Sequence, residues 1–360
     1  MLNERIESKW IDGLVELFQL CKVQSGEVAA VLSESQSRDV LVDMCELALA
    51  RLDTRVFHVV LPSPPLTSSV PLRSTGTCLS IGGLEPVVSA LAGSDIVIDC
   101  TVEGMLHSKE LGAILKDGAR LMMISNEHPE VLERLRPLDG LAEKCVRGAQ
   151  MLTDARRMYV TSEAGSKLEV NLEDTIGRGS AGIADKPGSR GYWPAGLCLC
   201  FPNMSSVNGR LVLAPGDVNL TFKRYLETPI TLTIENDYVV DISGDGLDAE
   251  LMRSYYAAWN EEDAYAVSHV GWGMNPAARW DALVMYDRRD VNGTELRAFA
   301  GNFLFSTGAN EHVGRFSSCH FDIPMRGCTV QLDDQIVVNN GVLQSDLSLA
   351  GFTSPSPQAA

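Results

Sequence analysis

Residues 95–100 read DIVIDC and residues 119–125 read ARLMMIS. Each is a short apolar run without polar alternation, the pattern of a strand buried on both faces. Between them lies SKELGAILKDG (108–118), a helical pattern that stops at a glycine. Strand, helix, strand in that order is the crossover unit of a parallel sheet. The alternation continues in both directions. VAAVLS (28–33) leads to RDVLVDMCELALARL (38–52), RVFHVVL (55–61) to a Pro/Ser loop and EPVVSALAG (85–93), and ARLMMIS to PEVLERLRPL (129–138). Ahead of them Ile6, Trp10, Leu14, Leu17 and Phe18 recur at helical spacing. Residues 1–156 are expected to form an open α/β domain with a parallel sheet.

The texture changes after residue 156. RMYVTSE (157–163), KLEVNLE (167–173), RLVLAPG (210–216), ITLTIEN (230–236) and YVVDISG (238–244) are short strands with few helices between them. Asn-Gly pairs at Asn208, Asn292 and Asn340 predict turns. LDAELMRSYYAAWN (247–260) predicts one helix. Residues 157–350 are expected to be a strand-rich α+β domain, and residues 351–360 a flexible tail with Phe352 able to anchor its start.

Composition narrows the function. Hydrophobic residues make up 45% and charged residues 21%, an ordinary globular balance. The formal net charge of −17 repels phosphate backbones and anionic lipid, so neither nucleic acid nor membrane is an expected partner. No apolar run approaches a bilayer span, and MLNERIESKW has no signal-peptide pattern. The nine cysteines are scattered without a CxxC, and CLC (198–200) puts Cys198 and Cys200 on one face of a strand. They read as reduced core thiols in a cytoplasmic protein.

Several motifs have ordinary readings. GRGSAG (177–182) matches G-x-G-x-x-G, but a Pro- and Gly-rich stretch follows where a helix should open, so it is expected to be a loop. DISGDG (241–246) begins like a calcium loop but has Met252 in place of the closing glutamate, and reads as a strand and a turn. His58 is expected to be a core histidine with one satisfied nitrogen. His128 and His312 are expected at the surface.

CHFDIPM (319–325) is different. On a strand His320 and Asp322 share a face, where they could bind a metal or hydrogen-bond each other. His269, in VSHVGWGMNP, ends an apolar run before Gly271 and Gly273, glycines that would let the backbone turn closely around something. Two histidines and one carboxylate make the facial triad of non-haem Fe(II) oxygenases. Spacing alone leaves metal binding and simple pairing both open.

VSHVGWGMNPAARW (267–280), GNFLFSTGANEHVG (301–314) and CHFDIPMRGCTVQLDD (319–334) resemble the 2,5-dihydroxypyridine 5,6-dioxygenases of nicotinate catabolism. LHS (106–108) and YWPAG (192–196) match more weakly. The resemblance implies an α/β domain joined to a strand-rich domain that carries the metal. It implies an Fe(II) enzyme that opens a hydroxylated pyridine with O₂ to an N-formyl amide-type product. It places the metal ligands on His269, His320 and Asp322, with Ser306 beside the iron, and an acid/base histidine on His107. It implies Leu106, Ser180, Tyr192 and Trp193 as substrate-facing positions. It also implies a homo-oligomer, a hexamer being one form.

At Tyr192 and Ser180 the chain departs from the pattern, since the dioxygenases carry a histidine and an acid there. The departure bears on substrate choice: 2,5-dihydroxypyridine or a close analogue is expected, with a different hydroxylated pyridine or a related ring left open. His107 has an ordinary alternative as the residue opening a helix, and Trp193 and Trp272 suit core packing as well as a pocket wall. A more distant resemblance, to aminopeptidase T metallopeptidases, keeps a metallohydrolase acting on an amide as the rival reading. A single carboxylate among the candidate ligands weighs against a two-metal site.

Overall fold

The runs that read as doubly buried strands form one parallel sheet. In this computed structural model, which describes residues 5–65, 76–349 and 351, its strand order is β2-β1-β3-β4-β8. The strands are β1 (Val28–Glu34), β2 (Arg55–Leu61), β3 (Ile96–Asp99), β4 (Arg120–Ile124) and β8 (Arg190–Trp193). Helices α1 (Ser8–Leu20) and α2 (Asp39–Arg51) cover one face, packing on Ile96, Ile98 and Met122. Helices α3 (Glu85–Ala92) and α4 (Leu111–Leu115) cover the other, packing on Val97 and Leu121. Neighbouring residues of one strand thus enter opposite cores, which is why the run shows no polar alternation. The spacing predicted for α1 holds: Trp10, Leu14, Leu17 and Phe18 are buried on one stripe. Each such side chain stabilises the fold by about 1.5–3 kcal/mol.

Helices α5 (Pro129–Arg134) and α6 (Leu141–Asp154) lead into two antiparallel sheets. The larger has the order β14-β13-β10-β6-β5-β18-β19-β20. It comprises β5 (Arg157–Ser162), β6 (Lys167–Asn171), β10 (Val207–Leu213), β13 (Ile230–Glu235), β14 (Tyr238–Ser243), β18 (Cys328–Leu332), β19 (Gln335–Asn339) and β20 (Val342–Leu343). The other has the order β17-β16-β15-β9-β7. Its strands are β7 (Gly177–Ser180), β9 (Leu197–Cys200), β15 (Val267–Gly273), β16 (Phe303–Asn310) and β17 (Arg315–Met325). A short pair, β11 (Val218–Asn219) and β12 (Arg224–Tyr225), stands beside them. One core of both sheets, α6 and α7 (Leu247–Trp259) gathers Val160, Leu211, Tyr256, Trp272, Phe303 and Phe321. The expected pairing of a parallel α/β region with a strand-rich region is what the chain forms. Strand β8 returns to the first sheet from residues 190–193, pairing parallel with β4.

Some local expectations are corrected. GRGSAG is not a loop: Gly177–Ser180 is a strand, paired with β9. Its glycines serve close approach, since a Cβ on Gly179 would lie 2.2 Å from the Cys145 carbonyl oxygen of α6. Asn208-Gly209 is no turn but lies inside β10, where a Cβ on Gly209 would meet the Lys167 carbonyl oxygen at 2.2 Å. His58 is not in the core, because β2 is an edge strand. Its Nε2 lies 3.2 Å from Glu46, with the side chain 32% exposed. His128 is buried, not superficial: its Nδ1 accepts from the Glu130 amide at the start of α5 and its ring stacks on Tyr286. His312 is exposed as expected. All nine cysteines are buried free thiols. The proposed tail and its Phe352 anchor, residues 352–360, lie outside the described residues.

Candidate metal centre

The site is built on the β15–β16–β17 ladder. Residues i and i+2 of β17 share a face, so His320 and Asp322 point together, while Phe321 and Ile323 enter the apolar core. Strand β16 pairs Ser306 with Asp322 and Gly308 with His320. A Cβ on Gly308 would lie 1.9 Å from the Cys319 carbonyl oxygen, so only glycine permits this approach. On β15 the register with β16 slips between Val267 and Val270. His269 lies in that bulge, a feature that re-aims a side chain. Gly271 and Gly273 do not wrap a ligand, contrary to the sequence expectation. They let β15 approach its neighbours, with Cβ positions 2.0 Å from the Cys198 and 2.1 Å from the Phe299 carbonyl oxygens.

The three side chains meet. His269 Nε2 is 3.3 Å from His320 Nε2 and 3.3 Å from Asp322 Oδ1, and His320 Nε2 is 3.4 Å from Asp322 Oδ1. Despite these distances, Asp322 Oδ1, Ser306 Oγ and the Nδ1 atoms of His269 and His320 are buried without a hydrogen-bond partner among the described residues. Native interiors leave few such atoms. With both Nε2 atoms unprotonated, two imidazole lone pairs and Oδ1 converge at a spacing that a single cation among them would satisfy. Burial pushes the His320 imidazole down to about 4, keeping it in the neutral form that ligates metal. Burial opposes charge on Asp322, but the charges of His320 and Arg297 beside it hold its carboxyl well below the usual range. Two imidazoles and one carboxylate fit a single divalent ion.

Arg297 supports the carboxylate, its Nε donating to Asp322 Oδ2. It sits on α8 (Thr294–Ala298), which is anchored from the first sheet. Glu127, just after β4, is buried and accepts the amides of Asn292, Gly293 and Thr294 at 2.8–2.9 Å. Arg134 of α5 clamps Glu295 with two hydrogen bonds, and Asn302 ties the Arg297 carbonyl to the Gly273 amide.

A cavity of about 580 Å³ opens onto the triad. His107, Leu106, Ser180 and Tyr192 line it with His269, His320 and Asp322. The His107 ring lies 4.4 Å from that of His320, and its Nδ1 lies 3.2 Å from Glu311 Oε1. Burial pushes the Tyr192 phenol pKa up. Phe201 walls the site, 5.6 Å from the His269 ring. Ser306 is on the ladder beside Asp322 but does not line the cavity. Trp193 is not brought to the site. Strand alternation turns it away from Tyr192 into the core beside α1, its Nε1 donating to the Leu135 carbonyl. Trp272 is likewise a core residue.

Arg297, Glu311, Glu127 and Phe201 were not singled out from sequence. Glu311 alone carried a signal, since it lies in the quoted segment GNFLFSTGANEHVG.

The model of the family NicX, 2,5-dihydroxypyridine 5,6-dioxygenase, matches residues 9–345. The chain belongs to this family. It is 37% identical over 329 residues to the 2,5-dihydroxypyridine 5,6-dioxygenase of Pseudomonas putida KT2440, covering 90% of this chain and 93% of that one. The solved structure of 2,5-dihydroxypyridine dioxygenase from Pseudomonas putida KT2440 superposes with a TM-score of 0.89 at 35% identity, covering 95% of this chain and 100% of that chain. AmpT from Thermus thermophilus shares the fold, with a TM-score of 0.61 at 13% identity over 93% of this chain and 99% of its own. Both resemblances read from the sequence are borne out, the second at the level of fold alone. Among the described residues no helix is long and apolar enough to cross a membrane.

Proposed function

We propose that this chain is an Fe(II)-dependent ring-cleaving dioxygenase that opens 2,5-dihydroxypyridine, or a close hydroxylated pyridine, to an N-formyl amide-type product. The observation that carries the reading is the triangle of His269, His320 and Asp322 donors, 3.3–3.4 Å on each side, at the floor of the cavity. Family membership supports the substrate. These three residues would hold the metal, with Ser306 beside them. Ferrous iron bound there would supply O₂ activation and a Lewis-acidic hold on a ring oxygen.

The remaining work falls to the chain itself. Arg297 holds the Asp322 carboxylate ionised and fixed in direction. His107 takes the ring hydroxyl proton at a nitrogen facing the cavity, a task suited to imidazole near neutral pH. Leu106 and Phe201 flank the ring with apolar surface, and the Ser180–Tyr192 pair offers neutral hydroxyls in place of titrating groups. Residues 1–156 contribute His107 and Leu106, and residues 157–350 contribute the metal ligands. The buried free thiols support a reducing, cytoplasmic setting. The net charge weighs against nucleic-acid and membrane partners. A homo-oligomer, with a hexamer as one form, completes the reading.

The test is anaerobic loading with Fe(II), metal analysis, and oxygen uptake with a panel of hydroxylated pyridines. One iron per chain, oxygen consumption with 2,5-dihydroxypyridine or an analogue, and loss of both after His320→Ala are expected. Two zinc ions per chain with amide hydrolysis and no oxygen uptake would replace this reading by the hydrolase.

A further inference from the structure

We propose that Glu311 is the positioning residue for His107, fixing the proton on Nδ1 and leaving the Nε2 lone pair facing the cavity. This rests on the dioxygenase reading for its consequence in turnover, but not for its geometry.

The geometry begins with the donor set. Glu311 Oε1 lies 3.2 Å from His107 Nδ1. An ionised carboxylate can only accept, so the proton between them belongs to the imidazole nitrogen. Burial opposes the carboxylate's charge, but the His107 contact and its own backbone amide hold its pKa below the usual range. With Nδ1 carrying the proton, a neutral imidazole has its lone pair on Nε2. That atom has no hydrogen-bond partner among the described residues, and the ring lines the cavity.

The ring is confined on its other sides. The His107 amide donates to the Gly76 carbonyl at 2.7 Å, and a Cβ on Gly76 would lie 2.8 Å from His107 Cδ2. The His320 ring stands 4.4 Å away. With sliding blocked there, the carboxylate decides which nitrogen faces inward.

Placement gives the contact a second effect. Glu311 opens the short turn Glu311–Val313 between β16 and β17, the hairpin that carries Ser306, His320 and Asp322. Asn310, the preceding residue, donates its side-chain amide to the Pro202 carbonyl and fixes the turn's entry. His107 lies in the loop between β3 and α4 of the parallel sheet region. The contact therefore ties the proton-accepting residue, across 204 positions of sequence, to the hairpin holding the metal ligands.

The chain has six histidines, few enough to resolve by selective ¹⁵N-histidine labelling of the full-length, metal-free protein. The His107 signals are identified by their loss in His107→Gln. The expected wild-type spectrum has a protonated Nδ1 and an unprotonated Nε2 for His107. In Glu311→Ala and in the near-isosteric Glu311→Gln this preference is lost or reversed. With Fe(II) loaded and 2,5-dihydroxypyridine as substrate, kcat falls about ten- to a hundredfold in both variants. KM and iron content change little, and Glu311→Asp restores part of kcat. An unchanged His107 spectrum in Glu311→Gln and Glu311→Ala would overturn the proposal, as would an unchanged kcat in an active enzyme. A fall in kcat that tracks iron loss with unaltered nitrogen shifts would make Glu311 merely structural, and also overturns it. Should the wild type consume no oxygen with any pyridine, the functional reading fails, while the nitrogen spectra still decide what Glu311 does.

Discussion

One chemical change, glycine to alanine, should have opposite effects at two positions of this chain. At Gly179 strand β7 lies flush on α6, and the added Cβ would sit 2.2 Å from the Cys145 carbonyl oxygen and 2.6 Å from its carbon. Ordinary contact begins near 3.4 Å, so helix and strand must part by about 1.2 Å. Neither partner is a flexible side-chain end, so the strain reaches the backbone. Overpacking of this kind costs about 1–3 kcal/mol, against a gain of roughly 0.4–1 kcal/mol from a stiffer unfolded chain. Gly179→Ala should destabilise by about 1–2 kcal/mol net. At Gly112, in α4, an added Cβ meets nothing within 4 Å and the residue is exposed. There the substitution should stabilise by about 0.5 kcal/mol. Urea unfolding followed by far-UV circular dichroism measures both, as opposite shifts of the midpoint at equal slope. Because Cys145, Gly179 and Ser180 also line the cavity, Gly179→Ala should weaken substrate binding as well. A Gly179→Ala protein as stable as wild type would refute the packing of β7 on α6.

Three further outcomes follow from the site and its surroundings. Adding a divalent metal at about a hundred times its Kd should stabilise the metal-free protein by roughly 2.7 kcal/mol, seen as a raised Tm, and Asp322→Ala should abolish the shift. Arg297→Met should cost the metal-free protein about 3–5 kcal/mol in urea unfolding, because it leaves the buried Asp322 carboxylate without its guanidinium, and metal should restore part of the loss. Asp217, buried at the turn before β11, has its carboxyl pushed up from 3.8 to about 7 by burial, against the amides of Arg326 and Ala214. The folded state then holds this proton more tightly than the unfolded chain. Stability should fall as pH rises from about 4 to 7, by up to roughly 1.4 kcal/mol per unit, and level off above. Comparing Asp217→Asn with wild type across pH 4–8 isolates the slope, and parallel profiles would exclude it.

The parallel sheet was legible because a strand covered on both faces must be apolar throughout, as DIVIDC and ARLMMIS are. His320 and Asp322 were legible because strand alternation forces them together. What stayed hidden depended on contacts between distant segments. Gly177 and Gly179 read as loop residues because a Pro- and Gly-rich stretch follows where a helix should open, yet here they admit the backbone of α6. His269 reaches the triad through a register slip that no local pattern announces. His128 sits before a proline in a polar setting, but Tyr286 closes over it from far along the chain. Arg297 and Glu127 look like ordinary surface charges until α8 and the end of β4 meet. Trp193 was expected at the pocket from the YWPAG match, and strand alternation is the physical reason that it faces away from Tyr192.

The late arrival of β8 has a consequence for biosynthesis. Strands β1 to β4 leave the ribosome in order, but the edge of β4 has no mate until Trp193 has been made. At ordinary translation speed that is a delay on the order of several seconds. During it an apolar edge stands open, a template for mispairing with another nascent chain. The strand that finally seals it also carries Tyr192 to the cavity wall, so the piece that closes the scaffold also furnishes part of the chamber that the later strands complete.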